Sequence, residues 1–249
     1  MKHTNKCVAA LLALLLLCFP LAACRKSGGT VTRIAVIVKA VDSDFWHAVK
    51  SGVEAAATEY NVSVTFEGPE NEEDFEAQNR MIADAVQNGA DVIVLSAIDY
   101  DKNAAAVNAA VRSGTKVIAI DSGVNSALVS QFIGTNNDEA GVAAARAAVD
   151  FTPADGAKIR IGLVNYMTDT ANGRRREKGF RTYLAGLANA EIVATVTADS
   201  NEESATACAK ELLRAHPEIN VLVGFNEWMT LGIGNAIHTL GCADRVRRV

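Results

Sequence analysis

Residues 33–67 read RIAVIVKAVDSDFWHAVKSGVEAAATEYNVSVTFE, and this stretch decides the fold class. Its β-branched apolar run at Arg33–Lys39 predicts a strand. Apolar residues from Phe45 to Tyr60 then recur at spacings of three or four, which predicts an amphipathic helix. Because a second apolar run follows at Ser63–Glu67, the stretch has the strand–helix–strand order that is typical of a parallel α/β sheet.

The same alternation runs through the rest of the chain and restarts after residues 135–137. We therefore expect two Rossmann-like, flavodoxin-like parallel-sheet domains, at 32–134 and 135–249, joined by a hinge. The further predicted strands are Asp91–Leu95, Lys116–Asp121, Ser130–Gly134, Lys158–Val164, Ile192–Thr197 and Asn220–Gly224. The further predicted helices are 75–86, 102–113, 138–151, 173–185, 202–215 and 229–240.

The N-terminus carries an export pattern, in which a short basic segment precedes an unbroken apolar run at Val8–Leu17. The run is shorter than the roughly 20 residues that a membrane-spanning helix needs. It leads to Leu21-Ala22-Ala23-Cys24, which resembles the bacterial lipobox. The resemblance implies that residues 1–23 are a signal peptide, that Cys24 carries a lipid and that 24–31 is a tether. The alternative is a plain secretory signal with a chance cysteine.

The charge balance argues against a nucleic-acid partner. The chain has 24 Lys and Arg against 29 Asp and Glu, and loss of Lys2 and Lys6 with the leader leaves 22 against 29, a net charge of −7. Besides Cys24 only Cys208 and Cys242 remain in the mature body, so no disulfide framework is expected. Two alternatives remain for these cysteines: a single Cys208–Cys242 disulfide, or Cys208 as a small buried residue with a free thiol.

Polar and aromatic residues cluster just beyond the predicted strands. Ligands of open parallel sheets bind outside the carboxyl ends of the strands, so these residues predict a cleft between the two domains. Carboxylates and amides accept hydrogen bonds from hydroxyl groups, arginines donate them, and aromatic faces cover the apolar side of a sugar ring, so the cleft suits a sugar or polyol. The residues are 42–46, 96–101, 121–122, 165–166, 172–176, 199–201 and 226–228.

Ordinary structural roles compete with ligand contact at several of these positions. Asp42 or Asp44 is a candidate N-cap of the first helix. Phe45 fits the inward face of that helix as well as it fits a ligand. Asp121, directly after a buried apolar run, is better explained by ligand contact. Of Arg174–Arg176, at most two are expected to point inward.

From about Thr32 to Gly241 the chain resembles the ribose-binding-protein-like, type I periplasmic solute receptors of sugar ABC transporters, relatives of the lac-repressor effector domain. The residues that carry the resemblance are 42–52, 91–95, 117–121, 176–180, 215–219 and 224–227. It implies the type I periplasmic-binding-protein fold, with ligand contacts from Ser43, Phe45, Trp46, Asp121, Arg174 and Asn226. Ser43, Ser122 and Ser200 depart from residues that are common in the family, so the resemblance does not name the sugar.

The resemblance implies an exported lipoprotein, at the outer face of the cytoplasmic membrane or in the periplasm. It would capture a sugar or polyol as a monomer, without cofactor or metal, and deliver it to an ABC transporter permease. The alternative is a sensory receptor that presents its ligand to a membrane sensor kinase. We expect no enzyme, because no phosphate-binding glycine motif, nucleophile elbow or His/Cys metal spacing occurs. The family's receptors continue past the last residue of this chain. We therefore expect an incomplete second domain, with an unpaired edge at the Asn220–Gly224 strand.

Overall fold

The structure, a computed structural model, describes residues 31–150, 158–167 and 169–249. The predicted signal peptide, the predicted lipidation site Cys24 and residues 24–30 of the predicted tether lie outside the described residues. Thr32–Val249 forms one compact unit that contains two parallel sheets. In the part of the chain that is described, no helix combines the length and the apolar character needed to cross a membrane.

The first lobe, Arg33–Ile133, alternates strands and helices as the sequence predicts. Its elements are β1 (Arg33–Ile37), α1 (Asp44–Tyr60), β2 (Ser63–Glu67), α2 (Phe75–Gln87), β3 (Val92–Leu95), α3 (Ala104–Arg112), β4 (Lys116–Ile120) and β5 (Gln131–Ile133). All neighbouring strands are parallel, in the order β2-β1-β3-β4-β5. This flavodoxin-like order reverses direction between β1 and β3.

The sheet of the first lobe is covered on both faces. Ala35 and Ile37 of β1 enter one apolar cluster, whereas Val36 and Val38 enter another that contains Trp46. Because successive side chains of a strand point to opposite faces, the two clusters lie on opposite sides of the sheet. This arrangement explains why β1 reads as a continuous apolar run rather than as an alternation of apolar and polar residues.

The second lobe, Asn137–Val249, repeats the architecture. Its elements are α4 (Asn137–Val149), β6 (Ile159–Tyr166), α5 (Ala171–Leu184), β7 (Ala190–Ala198), α6 (Glu202–Ala215), β8 (Val221–Gly224), α7 (Glu227–Thr239) and β9 (Arg247–Arg248). The strands are parallel in the order β7-β6-β8-β9, which reverses direction between β6 and β8. The α/β class with two parallel, Rossmann-like sheets that the sequence predicts is confirmed.

The predicted unpaired edge at the Asn220–Gly224 strand is wrong. Residues of β9 lie parallel to β8, with Val221 beside Arg247. The backbone N–H of Gly224 donates to the Val249 carbonyl at 3.0 Å, and the N–H of Val249 donates to the Leu222 carbonyl at 2.9 Å. The sequence does not predict this pairing, because a strand of two arginines carries no apolar pattern. The buried Val246 and the partly buried Val249 flank the strand and pack against the core of the second lobe.

Close contact between α4 and α5 fixes the orientation of the side chains that α5 presents. A Cβ atom added at Gly141 would collide with the Arg176 backbone, and one added at Gly179 would collide with the Asp138 backbone. Only glycine therefore allows the two helices to approach this closely. The contact places the arginine-rich first turns of α5 next to the start of α4.

Both described cysteines carry free thiols, so the Cys208–Cys242 bridge that the sequence left open does not form. The Cys242 Sγ faces the Ile237 carbonyl at 3.7 Å, and the Cys208 Sγ faces the Thr197 carbonyl at 3.9 Å. Cys208 is only partly buried rather than the fully buried thiol that the sequence offered as one alternative, and this partial burial raises the pKa of its thiol.

Candidate functional site

A cleft of about 130 Å³ lies at the carboxyl ends of strands from both sheets. The strands that contribute, β1, β4, β6 and β8, include those where each strand order reverses, which is where ligands of open α/β sheets bind. The volume is several times what a single water molecule needs. The cleft is lined by Lys39, Ser43, Phe45, Trp46, Glu72, Asp121, Tyr166, Asn172, Arg176, Asn226, Glu227 and Trp228.

Asp121 is the polar centre of the first lobe's wall. It follows β4 directly and has a backbone φ of 53°, in the left-handed region that aspartate tolerates better than most residues. Its carboxylate accepts hydrogen bonds from Ser96 Oγ at 2.9 Å and from Asn172 Nδ2 at 3.0 Å. Because Asn172 belongs to α5, Asp121 also links the two lobes.

Lys39 is a buried cation between two carboxylates. Its Nζ lies 3.6 Å from Glu72 Oε2 and 3.5 Å from Asp121 Oδ2, and its side chain is 5% exposed. Burial by itself would lower the pKa of Lys39, but the charges of Glu72 and Asp121 raise it above its ordinary value of 10.5. The ammonium group therefore stays charged inside the cleft.

The residues after β1 combine helix capping with cleft lining. Ser43, rather than Asp42 or Asp44, is the N-cap of α1, because its Oγ accepts a hydrogen bond from the Trp46 backbone N–H at 3.2 Å. Ser43 has the extended backbone that an N-cap requires, whereas Asp44 is already the first helical residue. The hydroxyl of Ser43 thus serves the helix while it borders the cleft.

The aromatic pair of α1 is split between core and surface. Trp46 is 1% exposed, packs in the apolar cluster of Val36 and Val38, and donates from Nε1 to Glu72 Oε1 at 3.0 Å. Phe45 is 48% exposed and meets the Trp46 ring edge-on, with the ring centroids 4.8 Å apart. Both line the cleft, and Phe45, not Trp46, has free surface to offer a ligand.

Asn226 in the second lobe, like Ser43 in the first, both caps a helix and lines the cleft. Its Oδ1 caps α7 by accepting from the Met229 backbone N–H at 2.9 Å, and its Nδ2 lies 3.5 Å from Ser200 Oγ. Ser200 Oγ in turn donates to Glu72 Oε2 at 3.0 Å. This chain of hydrogen bonds connects α7 to the first lobe beside Lys39.

Arg174 is not among the residues that line the cleft. Its Nη2 lies 3.2 Å from Asp101 Oδ2 and 3.8 Å from Asp169 Oδ1, and its side chain is 42% exposed. Arg176 lines the cleft instead, where its Nε donates to Asn137 Oδ1 at 2.7 Å. On a helix, residues 174 and 176 point about 200° apart, so the close approach of α4 and α5 determines which one faces inward.

Two further groups from the second lobe face the cleft. The Oδ1 of Asn172 is buried and has no hydrogen-bond partner among the described residues, although its Nδ2 is bound to Asp121. Tyr166, at the end of β6, is 1% exposed, and its ring lies 5.9 Å from Lys39 Nζ. Burial raises the pKa of the Tyr166 phenol against the opposing charges of Lys39 and Arg176, so the phenol is neutral.

Of the ligand contacts predicted by resemblance, the structure brings together Ser43, Phe45, Trp46, Asp121 and Asn226, and places Arg174 outside the lining. Among the remaining lining residues, Lys39 and Glu72 were missed entirely. The sequence pattern places Lys39 at the end of the first strand, where a lysine closing an otherwise apolar run is the signal that could have identified it. Glu72 lies in an acidic loop where nothing marks one glutamate among several.

The cleft offers hydrogen-bond donors, acceptors and aromatic surface together, which is the equipment for holding a polyhydroxylated molecule. Over residues 31–150, 158–167 and 169–249 there is no cluster of His, Cys, Asp and Glu that could hold a metal ion. The lining is suited to holding a small polar molecule through direct hydrogen bonds.

Residues 34–249 match the model of the periplasmic binding protein domain family. The D-ribose/D-allose-binding protein of Pseudomonas aeruginosa is 24% identical to this chain over 92% of this chain and 73% of the relative. A sugar transporter structure from Clostridium phytofermentans is 32% identical, with a TM-score of 0.82 over 88% of this chain and 80% of that one.

An ABC transporter solute binding protein from Agrobacterium vitis, solved with bound D-fucose, is 30% identical to this chain. Its TM-score is 0.81 over 87% of this chain and 75% of that one. The family match covers both sheets and every residue that lines the cleft. Because the family model matches both lobes and the fold agrees with that of the similar structures, the chain belongs to the periplasmic binding protein domain family and has the type I fold of its sugar-binding members.

Proposed function

We propose that this protein is an extracytoplasmic solute-binding protein that captures a sugar in the cleft between its lobes and delivers it to an ABC transporter permease. One observation carries the proposal: the polar cleft is built from the strand ends of both sheets, and Asn172 and Ser200 of one lobe bind Asp121 and Glu72 of the other. A ligand held by both lobes favours their closure, which signals occupancy to a partner.

The relatives support a sugar as the ligand, because one of those reported above is a D-ribose/D-allose-binding protein and another was solved with bound D-fucose. The protein binds its ligand and does not transform it, in keeping with a family of binding proteins. We also propose the finer points of the sequence analysis. The lobes 32–134 and 135–249 hinge about residues 134–137, the protein acts as a monomer, and Cys24 anchors it to the membrane by a lipid.

Thermal unfolding in the presence of candidate sugars tests the proposal. A ligand at 100 times its Kd stabilises the native state by about 2.7 kcal/mol. For a protein of this size this corresponds to a rise in Tm of roughly 5–11 °C. D-ribose, D-allose, D-fucose, D-galactose and neutral polyols form the first panel. If none of them raises the Tm, the proposed function fails.

A matched pair of asparagine variants separates cleft binding from general stabilisation. Asn226 and Asn201 are both N-caps in the second lobe, accepting from Met229 N and Ser204 N, but only Asn226 lines the cleft. Asn226→Ala and Asn201→Ala should each lose about 1 kcal/mol of stability. Only Asn226→Ala should also reduce the shift that the sugar causes, and equal shifts in both variants would contradict a cleft site.

Cell fractionation tests the anchor separately. Cys24→Ser should move the protein from the membrane fraction to the soluble fraction, whereas retention in the membrane would exclude a lipid on this residue. Uptake of the labelled sugar by cells with and without the protein distinguishes transport from the sensory alternative, because a receptor that serves only a sensor kinase would leave uptake unchanged.

A further inference from the structure

The ammonium group of Lys39 is buried but not saturated. Its two carboxylate neighbours, Glu72 and Asp121, lie at 3.6 and 3.5 Å, beyond the roughly 2.7–2.9 Å of a charge-assisted hydrogen bond. An ammonium group has three donors, and Lys39 lines the cleft. Its N–H groups are therefore still available to the oxygen atoms of a ligand.

The two carboxylates are held in place by neutral donors. Trp46 Nε1 and Ser200 Oγ donate to the two oxygens of Glu72, at 3.0 Å each. Ser96 Oγ donates to Asp121 at 2.9 Å. These bonds fix the positions of the carboxylates without neutralising their charge, and Lys39 offsets one of the two negative charges.

The inner wall of the cleft carries no net charge. Arg176, the other cation of the lining, donates to the neutral Asn137 Oδ1 and to the Phe225 carbonyl. The two positive charges of Arg176 and Lys39 balance the two negative charges of the inner carboxylates, Glu72 and Asp121. Glu227 also lines the cleft but is exposed, so solvent screens its charge.

We propose that Lys39 is a specificity-determining residue, which makes the cleft selective for an uncharged polyhydroxylated ligand over the corresponding sugar acid or amino sugar. The proposal rests on the proposed function and narrows its ligand class. Asn172 Oδ1, which has no hydrogen-bond partner in the described part of the chain, supplies an acceptor for ligand hydroxyl groups, and the Lys39 ammonium supplies donors.

The discrimination follows from the energy of a buried charge. A charged ligand group enters a wall in which every charge is already balanced, so its lost hydration is not recovered. Leaving one charge of a buried site uncompensated reduces affinity by at least about 100-fold. We expect the neutral sugar to bind at least about 100-fold more tightly than its charged counterparts.

Calorimetric titration of the full chain with two matched sets tests the proposal. One set is D-galactose, D-galacturonate and D-galactosamine, and the other is D-glucose, D-glucuronate and D-glucosamine. Neutral members, or a neutral sugar from the thermal panel, should bind while the charged members do not. Binding of a charged member as tight as that of the neutral one would overturn this inference and leave the proposed function intact. Failure of every neutral sugar would overturn the function and, with it, the inference.

Two variants change the net charge of the cleft wall in opposite directions. Lys39→Met leaves the carboxylates in excess, so neutral binding should fall at least about 10-fold while the preference moves toward the amino sugars. Glu72→Gln leaves the cations in excess and should move the preference toward the uronates. Should Lys39→Met fail to fold, Glu72→Gln and the wild-type selectivity still decide the matter.

Lys50→Met is the matched control for the lysine variant. Lys50 lies on α1, is 51% exposed and pairs only loosely with Glu54 at 3.9 Å. Its replacement should leave both affinity and preference unchanged. If Lys39→Met and Glu72→Gln change affinity alone, with no opposite shift in preference, Lys39 has a structural role only and the inference is wrong.

Discussion

Replacement of Arg174 and Arg176 by methionine, one at a time, separates the two arginines that the sequence could not distinguish. Arg176 donates to Asn137 Oδ1 at 2.7 Å and to the Phe225 carbonyl at 2.6 Å, and it lines the cleft. Arg174 pairs with Asp101 at 3.2 Å on the surface, where its side chain is 42% exposed.

The expected magnitudes differ because the environments differ. Hydrogen bonds from a charged donor contribute about 1.5–3 kcal/mol each, so loss of the two from Arg176 should cost about 3 kcal/mol or more. In a protein of this size this lowers the Tm by roughly 6–12 °C. An exposed ion pair contributes only about 0.2–1 kcal/mol, so Arg174→Met should lower the Tm by less than about 4 °C.

Binding should follow the same division. Arg176→Met should weaken binding of the sugar from the thermal panel by about tenfold to a hundredfold, which corresponds to the loss of one charged hydrogen bond to the ligand. Arg174→Met should change the affinity by less than about fivefold, and 1 M salt should remove that difference because it screens exposed charges. Calorimetry and thermal unfolding of both variants decide the assignment. A larger loss of affinity in Arg174→Met would refute it and restore the assignment made by resemblance.

Further predictions concern stability. Gly141→Ala should destabilise the protein by about 3 kcal/mol or more in denaturant unfolding, because its Cβ would meet the Arg176 carbonyl. Gly52→Ala is the control: its Cβ would have no neighbour within 4 Å, so the change should stabilise α1 by about 0.5–1 kcal/mol. Similar effects in the two variants would contradict the close contact between α4 and α5. Burial alone would raise the pKa of Asp99, but the backbone N–H groups of Lys102 and Asp101 and the Lys102 ammonium lower it below its ordinary value of 3.8. The stabilisation that the charged Asp99 carboxylate gives to the folded state is therefore present above pH 3.8 and lost as the pH falls. Asp99→Asn should lower the free energy of unfolding by about 1–3 kcal/mol at pH 7 and by progressively less in acid. A loss of stability that does not depend on pH would show that the charge of Asp99 is not responsible. Asp121→Asn should lower stability by about 2–3 kcal/mol, because Lys39 loses one of its two buried counterions, and an unchanged Tm would exclude the buried pairing.

The sequence by itself determines the layers of this protein and the edge at which its site lies. Apolar runs of strand length alternate with segments of helical period, and this local pattern is sufficient to predict two parallel sheets. Because the carboxyl ends of parallel strands lie on one edge of a sheet, it also places Ser43 and Asp121 on the same edge of the first sheet and Asn226 on the corresponding edge of the second. The resemblance to a family then singled out Ser43, Phe45, Trp46, Asp121 and Asn226, all of which line the cleft.

Only the tertiary structure decides which of these side chains face the cleft and how their charges are balanced. Glu72 meets Trp46, 26 residues away, and Ser200, 128 residues away, so no local pattern records either contact. The inward turn of Arg176 depends on two helices that touch through glycine, and Lys39 is charged inside the protein only because two distant carboxylates reach it. Periodicity along a chain indicates which face of a helix or strand is apolar. The pairing of polar groups across a cleft depends on contacts between elements that are distant in sequence, and these contacts exist only once the elements have packed together.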